Sequence, residues 1–256
     1  MGSAVKLRAL VEHLDRELAL SDFSDSSNNG LQVGDLDREV STVCCGVDAS
    51  REFFDAAAER SADLLICHHG LSWGDSLKYI TDLNFCRISA LVREDMALYA
   101  AHLPLDAHPN LGNNVLIARA LGLTRLRRFG EYKGQVIGYE GRLPEALSRD
   151  AFKALVRERV GSRLQCMDFG PGTVHRVAVV SGGAAEEVAE AGRKGIDVFL
   201  SGEPALVAYS LAQEYGVNAV FAGHYATEVF GVRALAEHLA TRFGLQAAFI
   251  DLGVPF

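Results

Sequence analysis

The sequence predicts an α/β fold of two lobes with largely parallel sheets, and three observations lead there. Apolar strand-like runs alternate with amphipathic helical runs, the pattern of layered α/β chains. A strand–helix–strand segment occurs twice in the same order. The length of 256 residues suits one large domain or two small ones.

Leu7, Leu10, Val11, Leu14 and Leu18 keep helical spacing, so the chain opens on an amphipathic helix. The polar turn Asp25-Ser26-Ser27-Asn28-Asn29-Gly30 follows, then Leu31-Gln32-Val33-Gly34. Strands are expected over 42–47, 63–67 and 97–101, with helices near 51–60, 83–94 and 113–120. The middle reads differently: a strand at 135–139, a helix capped by Ser148 and running to about Val160, and a weak strand at 164–167. Alternation then resumes, with strands at 176–180, 197–200, 218–222 and 247–251. Helices are expected near 184–193, 205–214 and 228–243.

The repeat relates a first lobe, 1–128, to a second, 129–256. Asp63 and Asp197 are offset by 134, as are Val43 and Val177, so the two arms match without a gap. After each arm a strand ends in His with an acid four residues on, His102 with Asp106 and His224 with Glu228. The offset there is 122, so the first lobe carries 12 extra residues.

Composition excludes several classes. Apolar residues at 49% and charged residues at 23% are the profile of a soluble globular core. No apolar run approaches the ~18 residues of a membrane span, and the N-terminal residues lack a signal-peptide layout, so the expected location is cytoplasmic. The five cysteines are odd in number and show no C-x-x-C spacing, which fits neither a disulfide framework nor a zinc ribbon. Cys44, Cys45 and Cys67 read as small buried hydrophobes. A net charge of -8 argues against nucleic-acid binding, and the short basic run Arg125-Leu126-Arg127-Arg128 reads as a solvated loop.

The chemistry gathers at strand ends. His68-His69 follows Leu64-Leu65-Ile66-Cys67, and His102 and His224 also sit just past apolar strands. In open α/β sheets, sites form outside the carboxyl ends of strands, so these histidines can converge with Asp106 and Glu228. Imidazoles with carboxylates are a first-row metal set. The six groups exceed the needs of one tetrahedral ion, and a carboxylate can bridge two cations. His13 and His238 fall in helical patterns and read as surface residues. Glu203 reads equally as a first-turn helix acid or as a neighbour of the metals. Gly182-Gly183 offers an anion cradle without a nucleotide fingerprint.

The blocks Asn28-Asn29-Gly30-Leu31-Gln32-Val33-Gly34, His68-His69-Gly70-Leu71, His102-Leu103-Pro104-Leu105-Asp106 with Gly112-Asn113-Asn114, and Gly223-His224-Tyr225-Ala226-Thr227-Glu228 resemble the Nif3-like family, in the family order. The resemblance is to its short form, without the large central insertion. It implies two interlocked, duplicated lobes, with segment 218–256 completing the metal site of the first lobe, and a ring-shaped homohexamer. It implies two divalent metal ions per subunit (Zn, Mn, Fe, Co or Ni) on His68, His69, Asp106, His224 and Glu228, with Glu228 bridging. It places His102 beside the centre, either as a residue that supports the ligands from behind or as a proton-transfer residue. The implied activity is that of a type 2 GTP cyclohydrolase I homologue, in which a metal-bound hydroxide opens the imidazole ring of GTP and formate is released. A different hydrolysis on the same centre, such as that of a phosphoester, and a non-catalytic metal-binding ring scaffold stay open as alternatives.

Overall fold

The computed structural model describes residues 4–256. Its strands are β1 (Val5–Lys6), β2 (Gly30–Val33), β3 (Glu39–Val40), β4 (Thr42–Asp48), β5 (Leu64–His69), β6 (Ala97–Ala100), β7 (Thr124–Tyr132), β8 (Gln135–Ser148), β9 (Gln165–Asp168), β10 (Thr173–Val179), β11 (Val198–Ser201), β12 (Asn218–Phe221) and β13 (Gln246–Phe249). Its α-helices are α1 (Leu7–Glu17), α2 (Arg51–Ala58), α3 (Asp82–Arg93), α4 (Leu103–Ala107), α5 (Asn113–Ala120), α6 (Arg149–Arg159), α7 (Val188–Arg193), α8 (Leu206–Tyr215) and α9 (His224–Phe243). The chain divides into two compact units. The first runs to Leu105 and includes Gly231–Gly253; the second is Asp106–Phe230 with Val254–Phe256. No helix of the described residues is long and apolar enough to cross a membrane.

The first unit is built on a sheet of order β13-β4-β5-β6-β2. β13, β4, β5 and β6 run parallel, and β2 closes the edge antiparallel to β6. Parallel strands are covered on both faces and so read as continuous apolar runs, which is why Leu64-Leu65-Ile66-Cys67 was legible. Ser50 starts α2 by accepting a hydrogen bond from the Phe53 amide on its hydroxyl at 3.2 Å. That helix buries Phe53, Phe54 and Ala57, each aromatic contributing about 1.5–3 kcal/mol of apolar burial. Gly46 in β4 leaves room for the Phe53 ring, since a Cβ there would sit 2.7 Å from it.

The second unit carries a sheet of order β7-β8-β10-β11-β12-β9. Here only β10–β11 and β11–β12 pair in parallel; β7–β8, β8–β10 and β12–β9 are antiparallel. The expectation of largely parallel sheets therefore holds for the first unit and fails for the second. The cause is a hairpin missing from the sequence reading. Residues 125–128 belong to β7 rather than to a solvated loop. Lys133 and Gly134, at φ +52° and +79°, join β7 to β8 in a two-residue turn. Both central residues of that turn need positive φ, and a connection so short permits only antiparallel strands. Ser148 caps α6 as expected, its hydroxyl accepting from the Ala151 amide at 3.2 Å.

In the same unit, burial and then the neighbouring Glu190 carboxylate push Glu187 up to about 7. Between the unfolded value near ~4.3 and this folded value, the folded chain keeps a proton that the unfolded chain has lost, so stability falls as pH rises through that window. Glu187→Gln should therefore stabilise the protein by about 1 kcal/mol near pH 8, allowing for solvent screening, and have no effect near pH 4. Denaturant melts at the two pH values read this directly; equal effects at both would remove the titration account.

Candidate metal centre

In the first unit, β5 delivers His68 and His69 at its end, and His102 stands between β6 and α4. One ring nitrogen from each of the three lies within 4.8 Å of the others. The rings of His68 and His69 have centroids 4.8 Å apart, and those of His68 and His102 are 5.0 Å apart. Trp73 stands edge-on to His102 at 5.0 Å.

Each imidazole is turned by a bond to its Nδ1. His68 Nδ1 meets the Ala101 carbonyl oxygen at 2.9 Å. His69 Nδ1 meets Asp48 Oδ1 at 2.8 Å, and His102 Nδ1 meets Asp25 Oδ1 at 3.0 Å. An acceptor on Nδ1 makes that nitrogen the proton carrier and leaves the lone pair on Nε2. This is the outer-sphere arrangement that orients metal-ligating histidines.

Asp25 is itself held. It accepts from the Ser27 and Leu103 amides at 3.1 and 3.0 Å and from the Asn29 side chain at 3.0 Å. Burial alone would raise its pKa, but the His102 hydrogen bond and charge, with the other donors, bring it well below the usual carboxylate range. Asn29 also accepts the His102 amide at 2.7 Å, so the Asn28-Asn29-Gly30 turn is the scaffold of His102. Gln32 holds the loop after His69, accepting from the Leu71 amide at 2.7 Å and the Ser72 amide at 3.1 Å.

In the second unit, Asp106 lies in the single-turn α4. Asn113 Nδ2 and Ser181 Oγ donate to its Oδ1 at 2.8 and 2.9 Å, fixing the carboxylate plane. Helix α9 begins at His224 rather than at Glu228, as the sequence suggested. His224 and Glu228 therefore share one face of its first turn. His224 Nε2 is 3.0 Å from Glu228 Oε1, and His224 Nδ1 is 3.1 Å from Glu203 Oε1. Burial disfavours the imidazolium, but the hydrogen bonds and charges of Glu228 and Glu203 outweigh it and raise His224 to about 9. Glu203 thus stands beside His224, and α8 begins only at Leu206.

Gly182 permits a close approach. At Gly182, φ +66°, a Cβ would lie 2.4 Å from Glu228 Oε1 and 3.2 Å from His224 Nε2. Gly182→Ala should displace Glu228 and weaken metal affinity by about 10–100-fold, the usual cost of disturbing a ligand's support. Chelator competition measures it, and unchanged affinity would show that Glu228 adjusts freely.

Sequence reasoning missed Asp25, Asp48 and Ser181. Asp48 had a usable signal, an acid at the end of β4 beside the His68-His69 strand. His108 is buried, and its Nδ1 accepts from the Asn110 and Leu111 amides at 3.2 and 2.9 Å, which makes it a loop-shaping residue.

The donor chemistry fits divalent metal ions. The first unit offers three imidazoles held through Nδ1, and the second offers two carboxylates and an imidazole whose proton is clamped between acids. A cation of higher charge can take the place of that proton.

The sequence model of the family described as Duf34/NIF3 (NGG1p interacting factor 3) matches residues 5–253. A Deinococcus radiodurans protein named GTP cyclohydrolase 1 type 2 homolog is 44% identical over 242 residues, covering 94% of this chain and 91% of that protein. An Archaeoglobus fulgidus protein of the same name is 42% identical, covering 97% and 98%. Among solved structures, the protein ybgI, described as of unknown function, superposes with a TM-score of 0.92 at 34% identity, covering 98% of this chain and all of that one. TTHA1606 from Thermus thermophilus does so at 0.90 and 36%, covering 98% of this chain and 100% of that one.

Proposed function

The chain belongs to the Duf34/NIF3 family, and from that premise we propose that it is a dinuclear metal-dependent hydrolase, with ring opening of GTP and release of formate as the reaction to test first. The ligands are His68, His69, Asp106, His224 and Glu228. The observation that supports the reading is the uniform Nδ1 anchoring of His68, His69 and His102, which suits their Nε2 atoms to ligation or proton transfer.

When bound, two divalent cations make a water molecule nucleophilic near neutral pH and neutralise developing oxyanion charge. The chain's residues supply the rest. Asp25 holds His102 in the tautomer whose Nε2 accepts a proton, so His102 acts as the base and returns that proton to the leaving nitrogen. Asn113 and Ser181 hold Asp106, and Glu203 holds His224. Trp73, beside His69 and His102, offers a flat face to a heteroaromatic ring. The name borne by the two relatives favours GTP over a phosphoester.

The test is incubation of metal-loaded protein with GTP and with a generic phosphodiester, reading formate and phosphomonoester release. Formate from GTP alone supports the proposal. Turnover of the diester alone would replace it with a phosphoesterase, and turnover of neither would favour a metal-binding scaffold.

We further infer that the halves 1–128 and 129–256 descend from one duplicated segment. Asp63 Oδ2 accepts from the Ser41 and Thr42 amides at 2.7 and 2.9 Å. Asp197 Oδ2 accepts from the His175 and Arg176 amides at 2.8 and 2.7 Å, the same bonds at the 134-residue offset. Strand pairing aligns Leu64 with Ala97 and Val198 with Asn218, an offset of 121 in the following strand. Gly223 is then the additional residue before His224. An interlocked path finds support in α9, whose residues divide between the units at Phe230 and Gly231.

The proposal includes a homohexamer. Leu206, Val207 and Tyr209 on α8, and Leu83, Phe85 and Val92 on α3, are exposed apolar side chains of the kind that mark contact surfaces. Light scattering should return six chains, and a monomer mass would remove this part. A cytoplasmic location belongs to the same proposal, with the exposed free thiols of Cys86 and Cys166 suited to a reducing compartment.

A further inference from the structure

A second group of ligating side chains lies within the first unit, formed by residues that no part of the proposed centre uses. His13 and Glu17 stand four residues apart on one face of α1, and His238 comes from α9. One donor atom from each lies within 4.8 Å of the others. His13 is buried, at 6% exposure, contrary to its expected place on the surface, while Glu17 and His238 are half-buried.

The two imidazoles meet through the same atom. His13 Nε2 and His238 Nε2 are 2.7 Å apart, with ring planes 6° from parallel. Phe243 closes the edge of His13 at 5.1 Å. Only one proton fits between two nitrogens at that distance, so one lone pair faces one N–H, with the Glu17 carboxylate beside them. Burial first, then the positive charges of His238 and Arg242, lower the pKa of His13.

We propose that His13, Glu17 and His238 bind one divalent transition-metal ion, separate from the dinuclear centre, which replaces the shared proton and ties α1 to α9. Two imidazole nitrogens and a carboxylate oxygen are a donor set suited to zinc, nickel or copper(II). A tetrahedral ion with bonds of about 2.0–2.1 Å parts the two nitrogens to about 3.3 Å, an adjustment the half-buried His238 ring can make by rotation. Three protein ligands leave one position for water. The proton lost on binding goes to solvent, so the step is ligand exchange without redox change.

The experiment uses the full chain carrying His224→Ala, so that failure of the dinuclear reading does not decide the outcome. This protein is stripped with chelator, dialysed against zinc, and its metal counted per chain. Adding His238→Gln should remove one equivalent and abolish the zinc-induced rise in melting temperature. Glu17→Gln, which keeps both rings, should weaken zinc binding at this site by tenfold or more. Copper(II) supplies the spectroscopic reading: a nitrogen-ligated resonance signal present in the parent should be absent after His238→Gln. Unchanged stoichiometry and an unchanged copper signal in a folded His238→Gln protein would overturn the proposal and leave the pair as a structural hydrogen bond. If His238→Gln fails to fold, Glu17→Gln decides, and zinc affinity equal to the parent's would overturn it.

Discussion

Replacing His224 with alanine should remove at least one of the two proposed metal ions and abolish the proposed hydrolysis while leaving the fold intact. His224 opens α9 with Glu203 and Glu228 bonded to its ring. Truncation takes away a nitrogen ligand and leaves two carboxylates close together without a cation between them. Glu228 is buried, at 3% exposure, so its charge cannot turn to solvent for relief. The pH dependence carries the same signature. Because His224 holds a proton up to about 9, metal must displace that proton at neutral pH. Apparent affinity should rise about tenfold per pH unit toward that value and then flatten, as expected when ligation releases one proton. In His224→Ala the slope should disappear. Elemental analysis at several pH values tests both statements, and full stoichiometry in the variant would falsify the assignment of His224 as a ligand.

The second large effect is expected at a residue that touches no metal. Asp25→Asn keeps the shape of the side chain and removes the charge that fixes His102. An amide can present its NH2 group to Nδ1, which moves the proton to Nε2 and takes away the base. Turnover should fall by about 10–100-fold, with metal content within about a fifth of an equivalent of wild type. Stability should fall as well, by about 1–3 kcal/mol, since Asp25 now satisfies two backbone amides with a charged acceptor. The pH sign follows from the depressed pKa. Asp25 stabilises the fold above the unfolded carboxylate value of about 3.9, and that contribution is lost as pH falls through the lower folded value. Wild type and Asp25→Asn should therefore converge in stability under strong acid. Loss of metal together with activity would mean that Asp25 supports ligation rather than proton transfer by His102.

Much of this arrangement is legible in the sequence. The strands that carry His68, His69, His102 and His224 are buried on both faces, and burial writes itself as unbroken apolar runs. Strand ends could then be located to within a residue or two. What escaped was structure with little apolar signal. β7 is mostly exposed along Thr124–Arg128, so its arginines resemble a loop, and the turn at Lys133-Gly134 was the only marker. α4 spans a single turn, too short for a 3.6-residue period to register. The start of α9 has no capping Ser, Thr, Asp or Asn, and Gly223 at φ +104° makes the turn instead. Asp25 and Asp48 were hidden for another reason. They act through imidazoles 77 and 21 residues away along the chain, and partners so distant leave no local pattern. His13 meets His238 and Phe243 of α9, and partners so far along the chain likewise leave no local pattern.

The tip of the β7–β8 hairpin is a natural port for engineering. Residues 131–134 are exposed, and beyond Gly134 lies open space, with no atom within 4 Å of where a Cβ would stand. Neither residue of the turn belongs to the sets around His69 or His224. Exposed loop tips of this kind accept added sequence at little cost. A small fluorescent or affinity module spliced between Lys133 and Gly134 on flexible spacers would give every chain an internal handle, leaving both termini untouched. Assembly and metal loading could then be followed on immobilised single particles.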